Sequence, residues 1–219
     1  MADSVSKPIY LQTILELTYG QNREQVANNQ IAEHLHVTPS SVSNMMAKLQ
    51  ESGEVDVEPY YGVTLTPKGQ QLALRLTRIH RLMEVFFSEK LNLSSTHAYA
   101  NAIHFDHHAD EILLTALDDF LNHPTTCPHG LPIPDANYNW EIPPHRILNT
   151  LPDGTEFTII GANEDVELLE YLELMGVTIN STWKFIGRMP FSGPLVIESL
   201  SSGQQIQISD HAAHYIYTN

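Results

Sequence analysis

A mainly α fold with a small β component is what this chain predicts: a winged helix-turn-helix, then a helical stretch, then a small β-barrel-like domain. Three observations carry that reading. Two Thr-Pro helix starts, Thr38-Pro39 and Thr66-Pro67, bracket a short alternating hairpin. A long helical-period stretch follows the second of them. Beyond residue 150 the pattern changes to short strands separated by Ser-Gly turns.

Each element can be justified in order. A first helix is expected over 8–19, with Tyr10, Ile14 and Leu17 on one face. Gly20 to Asn22 read as a break. The segment NNQIAEHL reads as a second, short helix capped by Asn28 or Asn29, with Ile31, Ala32 and Leu35 inward. Thr38 is a good N-cap, and Pro39 is tolerated at the first helical position because its missing N–H would be unpaired anyway. That third helix runs to about Glu51. Val42, Met45 or Met46, and Leu49 face inward; Ser40, Ser41, Asn44 and Lys48 face outward. Small polar side chains suit groove reading, and they equally suit an ordinary solvated face. EVDVEPYYGVTLT supplies two strands, Val55/Val57 and Val63/Leu65, around a turn at 59–62. Helix, turn, helix, hairpin is the order of a winged helix-turn-helix.

Thr66-Pro67 opens a long helix to about Lys90 with the stripe Leu72, Leu76, Ile79, Met83 and Phe86. The stripe fits a dimer interface or an internal core. One or two further helices are expected over 91–121, then a Pro-rich linker. In the last segment EFTII reads as a strand. NEDVELLEYLELMG reads as an amphipathic helix closed by Gly176, and TWKFIGRM, PLVIES and QIQIS as strands.

Composition limits what the chain can do. In 219 residues there are 26 acidic against 11 Lys plus Arg, a formal charge of −15. Residues 1–90 hold eight basic and ten acidic residues, and 91–219 hold three and sixteen. Only the N-terminal part can face phosphate without heavy repulsion. The single cysteine, Cys127, rules out an internal disulfide framework. No signal-like stretch and no apolar run of about 18 residues is seen, so a cytoplasmic protein without membrane contact is expected.

Several side chains could carry chemistry. His80 and Glu84 are four apart on a helix and could share an ion, or form a surface pair. Cys127-Pro128-His129 offers a thiolate and an imidazole two residues apart, or a loop cysteine beside an incidental histidine. HFDHHADE, read as helical, gathers His104, Asp106, His107 and His108. Glu164, Asp165 and Glu167 suit a helix first turn, where carboxylates complement the dipole. No phosphate loop, dinucleotide fingerprint, nucleophile elbow or H-E-x-x-H occurs, so no enzyme is expected; a metal-dependent hydrolase is the rival class.

YLQTILEL, IAEHLHVTPSSVSNMMAKLQESG, GVTLTPKG, HRLMEVFF, the Asp106-His107 pair and TCPHGLPIP together resemble the diphtheria toxin repressor family of metal-dependent repressors. The likeness spans nearly the whole chain. It implies three domains: a winged helix-turn-helix over 1–74, a helical dimerisation and metal-binding domain over 75–143, and an SH3-like, FeoA-type domain over 144–219. It implies an ancillary metal site at Glu84, Cys127, His129 and Glu164 with His80 close by, and a primary site using Asp106 and His107. It implies DNA contacts from Thr38, Pro39, Ser40, Ser41, Ser43, Asn44 and Lys48, with Lys68 near phosphate.

The implied cofactor is a divalent ion, Mn2+ first and Fe2+ or Zn2+ as alternatives. The implied activity is repression of metal-uptake genes by a homodimer on an inverted-repeat operator. The sequence departs from the family pattern twice: Ile9 and Ile103 stand where primary-site ligands are expected. Either the primary site is degraded, or His104 or His108 substitutes for a missing ligand, or the ancillary-type site is the sensor, which is the expectation. A constitutive DNA-binding protein with vestigial ligands is the alternative.

Overall fold

The computed structural model describes residues 6–21, 25–105, 109–141 and 143–219. The chain divides into two compact units. The first comprises 1–83, 103–123 and 133–140; the second comprises 84–102, 124–132 and 141–219.

In the first unit, α1 (Lys7–Gln21), α2 (Asn28–His34) and α3 (Pro39–Glu51) precede the hairpin β1 (Val55–Glu58) and β2 (Gly62–Leu65). Leu11, Ile14, Ile31, Val42, Met46, Leu49 and Val63 are fully buried in one core. Met46, not Met45, is the inward methionine of α3. The N-cap of α2 is Ala27 rather than Asn28 or Asn29. Asn28 already lies in the first turn, and the Gln30 side chain accepts from the Ala27 N–H at 3.1 Å. On α3 the expectation holds: the Thr38 hydroxyl accepts from the Ser41 N–H at 3.2 Å and Pro39 is the first helical residue.

Glu54, 5% exposed, gathers the domain's polar contacts. It takes Lys7 Nζ at 2.6 Å and the Ser52 hydroxyl at 2.7 Å, with Lys68 Nζ at 3.7 Å. Burial pushes its carboxyl up. The Lys7 and Ser52 hydrogen bonds and the Lys7 and Lys68 charges outweigh that and hold it below its usual range.

Helix α4 (Pro67–Val85) starts where expected, with the Gly69 N–H on the Thr66 hydroxyl at 3.1 Å. It gives way at Phe86 to one π-helical turn, Phe86–Lys90, so the long helix is not uniformly α. Of its stripe, Leu76 and Ile79 are buried, at 3% and 0% exposed, and Leu72, Met83 and Phe86 are half-buried. The helical reading of HFDHHADE fails among the described residues. Ile103–Phe105 form a turn, and Asp110 is the N-cap of α6 (Glu111–Phe120), bonding the Leu113 N–H at 2.8 Å. An N-cap must leave helical backbone, so one continuous helix cannot pass there.

The second unit holds α5 (Ser95–Ala102), the 124–132 loop and the C-terminal domain. There β3 (Arg146–Ile147), β4 (Glu156–Ala162), β5 (Thr182–Arg188), β6 (Leu195–Ser199), β7 (Gln205–Ile208) and β8 (Ile216–Thr218) form one antiparallel sheet ordered β3-β8-β4-β5-β6-β7. Register shifts at Ile159/Gly161 and Phe185/Gly187 bend it. Its core is Phe157, Ile159, Trp183, Phe185, Ile197 and Ile216 under α7 (Val166–Leu174). A second, four-residue helix, α8 (Asp210–Ala213), joins the expected one. Among the described residues, no helix is long and apolar enough to cross a membrane.

Candidate metal centre

The TCPHGLPIP loop is shaped by its own backbone. The Cys127 N–H donates to the Leu131 carbonyl at 2.9 Å and the Gly130 N–H to the Cys127 carbonyl at 3.0 Å. The tight turn places the Cys127 and His129 side chains together. The loop is tied to β4 by the Ala162 N–H, which donates to the His129 carbonyl at 3.1 Å. That contact needs a left-handed residue with no Cβ beside it. Gly130 has φ +78°, and a Cβ there would fall 2.0 Å from the Ile160 carbonyl oxygen.

Glu164 sits just past β4, outside α7. Asp165 is the N-cap, bonding the Leu168 N–H at 2.9 Å, and Asn163 is held by the Tyr217 hydroxyl at 2.9 Å. The Glu164 carboxylate is therefore not a first-turn helix acid; it is 1% exposed. Glu84, in the last turn of α4, is 0% exposed.

Glu84, Cys127, His129 and Glu164 each offer one ligand atom, and these four atoms lie within 4.8 Å of one another. The Cys127 thiol donates to Glu164 Oε1 at 3.2 Å. Cys127 Sγ is 4.0 Å from His129 Nδ1, and His129 Nδ1 is 3.5 Å from Glu84 Oε1. Tyr99 closes one side, its ring edge-on to His129 at 6.1 Å. Donors at bond lengths of about 2.0–2.3 Å from one tetrahedral ion stand about 3.3–3.7 Å apart, so the observed spacing fits with small adjustment. The donor set also fits by charge. Two carboxylates and a thiol are costly to bury together unless something positive offsets them.

His80 is buried on α4 but is not among the four clustered ligands. Asp106 and His107 lie outside the described residues. Ile9 and Ile103 are half-buried and offer no ligand atom.

A second acidic group, Asp118, Asp119 and His123, has an ordinary explanation. Arg78 pairs with Asp118 at 3.0 Å, and His123 Nδ1 meets the same carboxylate at 2.9 Å. The Asp118 hydrogen bond, then its charge, raises the His123 pKa above the usual histidine value.

On α3, Pro39, Ser40, Ser41, Ser43, Asn44 and Lys48 are all exposed, and so is Thr38 before it. All four hydroxyls are also tied locally: Thr38 to Ser40 and Ser41, each at 2.9 Å, and Ser43 to the Pro39 carbonyl at 3.0 Å. Asn44 and Lys48 carry the freest reach. Lys68 is exposed, but its ammonium already donates to the Ser52 carbonyl at 2.6 Å. Sequence reasoning missed two surfaces. Tyr60 and Tyr61 at the wing tip are 106% and 73% exposed; an aromatic pair in a four-residue turn with no apolar neighbour was the available signal. On α6, Ile112, Leu113 and Phe120 are 80%, 51% and 59% exposed.

The chain matches three family models. They are the iron dependent repressor N-terminal DNA binding domain over residues 5–63, the iron dependent repressor metal binding and dimerisation domain over 66–135, and the FeoA domain over 147–219. It is 27% identical to the diphtheria toxin repressor of Corynebacterium efficiens over 95% of this chain and 92% of that one. It is similar to the solved structure of the manganese regulator SloR, with TM-score 0.86 and 31% identity over 98% of each chain. It is similar also to the crystal structure of ScaR with bound Zn2+, with TM-score 0.83 and 29% identity, covering 98% of this chain and 99% of that one.

Proposed function

Since this chain belongs to the diphtheria toxin repressor family of metal-dependent transcriptional regulators, we propose that its operator affinity is set by a divalent ion held by Glu84, Cys127, His129 and Glu164. It is a homodimeric DNA-binding regulator and not an enzyme. The observation that carries the proposal is the buried four-donor cluster itself.

When bound, the ion supplies positive charge that two buried carboxylates and a thiolate otherwise lack. The protein does the rest. Glu84 ends α4, Cys127 and His129 sit on the 124–132 loop, and Glu164 precedes α7, so three chain segments share one set of ligands. Fixing them selects one arrangement among several, which is a coupling free energy. Helix α4 begins one residue after the wing strand β2 and carries Glu84 in its last turn, so it is the natural connector. Two correctly spaced α3 helices would enter successive major grooves about 34–36 Å apart. Asn44 and the serines would face base edges and Lys48 the phosphates.

Ile9 and Ile103 support regulation through this one site. Neither can coordinate, whatever Asp106 and His107 contribute. Mn2+ is the proposed ion, because two carboxylates favour a hard cation. The thiolate keeps Fe2+ and Zn2+ in contention. The proposed output is repression of metal-uptake genes in the cytoplasm. The exposed apolar face of α6 is the proposed dimer surface.

The test begins by selecting a duplex from a random pool with metal-loaded protein. Anisotropy with that duplex is then measured in chelator and in Mn2+, Fe2+ and Zn2+ in turn, at fixed salt. Metal should raise affinity in the wild type and leave Cys127→Ala/His129→Ala unresponsive. Equal stimulation in both would remove the cluster from the mechanism.

A further inference from the structure

A cavity of about 710 Å3 lies within the second unit, and Cys127 and His129 form part of its wall. Its remaining lining is mixed. Within it, Ser88, Ser94, Ser95, Thr178 and Asn180 supply hydroxyls and an amide, α7 supplies Leu169 and Leu172, and Glu89 and Glu173 add two carboxylates. Neither lysine nor arginine lines it. Lys90, outside the wall, pairs with Glu89 at 3.4 Å. Glu173 is exposed and accepts from the Thr96 hydroxyl at 3.0 Å.

We propose that this cavity is the entry route by which a divalent cation reaches the buried cluster, with Glu173 as its capture carboxylate. This rests on the metal-site reading above. Two facts require a route. The four ligand residues are each at most 5% exposed, so a hydrated ion cannot meet them from bulk solvent directly. The cavity wall contains two of those four residues, so an ion inside it is already beside its destination. The lining suits the passage. A concave site of one charge sign raises local counter-ion concentration. Hydroxyl and amide oxygens can replace the ion's water molecules singly. The same charge excludes anions and chelated ions, so the species admitted is the free divalent cation.

The route is tested on the full chain by stopped-flow with Co2+ alone, read by the thiolate-to-cobalt charge-transfer absorption. Glu173→Gln keeps the acceptor for Thr96 and removes only the charge. It should slow association roughly threefold at low salt, with the difference lost at high salt and equilibrium affinity unchanged. Thr178→Trp places a bulky ring in the cavity from an exposed position on its wall. It should slow association and dissociation together by roughly tenfold or more, since a route is shared by both directions. Wild-type rates in both variants, with Co2+ still taken up, would overturn the route and leave the metal site standing. No Co2+ uptake by the wild-type chain would overturn both.

Discussion

Replacing Gly130 by Ala should weaken metal binding far more than its size suggests. At φ +78° an L-residue carries a left-handed penalty of about 1–2 kcal/mol. The new Cβ would also sit 2.0 Å from the Ile160 oxygen, 2.9 Å from its carbon and 3.0 Å from Gly161 Cα, all of them backbone. Backbone atoms in β4 cannot yield as a side-chain tip would, so the loop must move by about 1 Å. That movement strains the bond from the Ala162 N–H to the His129 carbonyl, a contribution of about 1 kcal/mol.

The sum is about 2–3 kcal/mol, or about one and a half to two powers of ten in an equilibrium constant. Cys127 and His129 precede the position in the same tight turn, so much of this should fall on ion affinity. Competition titration of Mn2+ and Co2+ reads that affinity, and thermal melting reads whatever falls on stability. Gly154→Ala is the control: φ is +80° there, but nothing lies within 4 Å of a Cβ. It should show the left-handed penalty in melting and no change in metal affinity. If Gly130→Ala matched Gly154→Ala in both measurements, the close approach to Ile160 would not be what shapes the ligand loop.

Three further outcomes are expected. Glu54→Gln should cost about 1–2 kcal/mol at neutral pH, discounted because Lys7 and Lys68 are partly solvated. Since the folded carboxyl is held down, its contribution is full above the unfolded value near 4.5 and is lost as pH falls through the folded value. The variant's stability-versus-pH curve should therefore be flatter on the acid side, as denaturant melts would record. Lys48→Ala should lower affinity similarly on all duplexes and reduce the salt slope by about 1, whereas Asn44→Ala should cost about 1–3 kcal/mol on the selected duplex only. Anisotropy over a salt series separates the two. Ile112→Glu on α6 should shift the homodimer toward monomer in sedimentation while leaving the monomer's melting unchanged, because the side chain is 80% exposed.

The amino-acid order by itself determined the elements whose cause is local. Thr38-Pro39 and Thr66-Pro67 start helices because a hydroxyl and a missing N–H act within one turn. The alternation around 55–65 makes a hairpin because successive side chains point to opposite faces. Donor types at Cys127 and His129 were equally legible, two residues apart in one turn.

What the tertiary structure decided is how distant segments meet. Glu164 reads locally as an ordinary first-turn acid, and only the close of β4 and the cap at Asp165 turn it onto Cys127, 37 residues earlier. The α4 stripe reads as an interface or a core, and packing within the chain buries Leu76 and Ile79 while leaving Leu72, Met83 and Phe86 half-covered. The exposed rows on α6 and at the wing tip follow from what the rest of the chain leaves uncovered. Periodicity can say which face is apolar, but not whether that face finds a neighbour, because burial belongs to the assembled chain and not to any one segment of it.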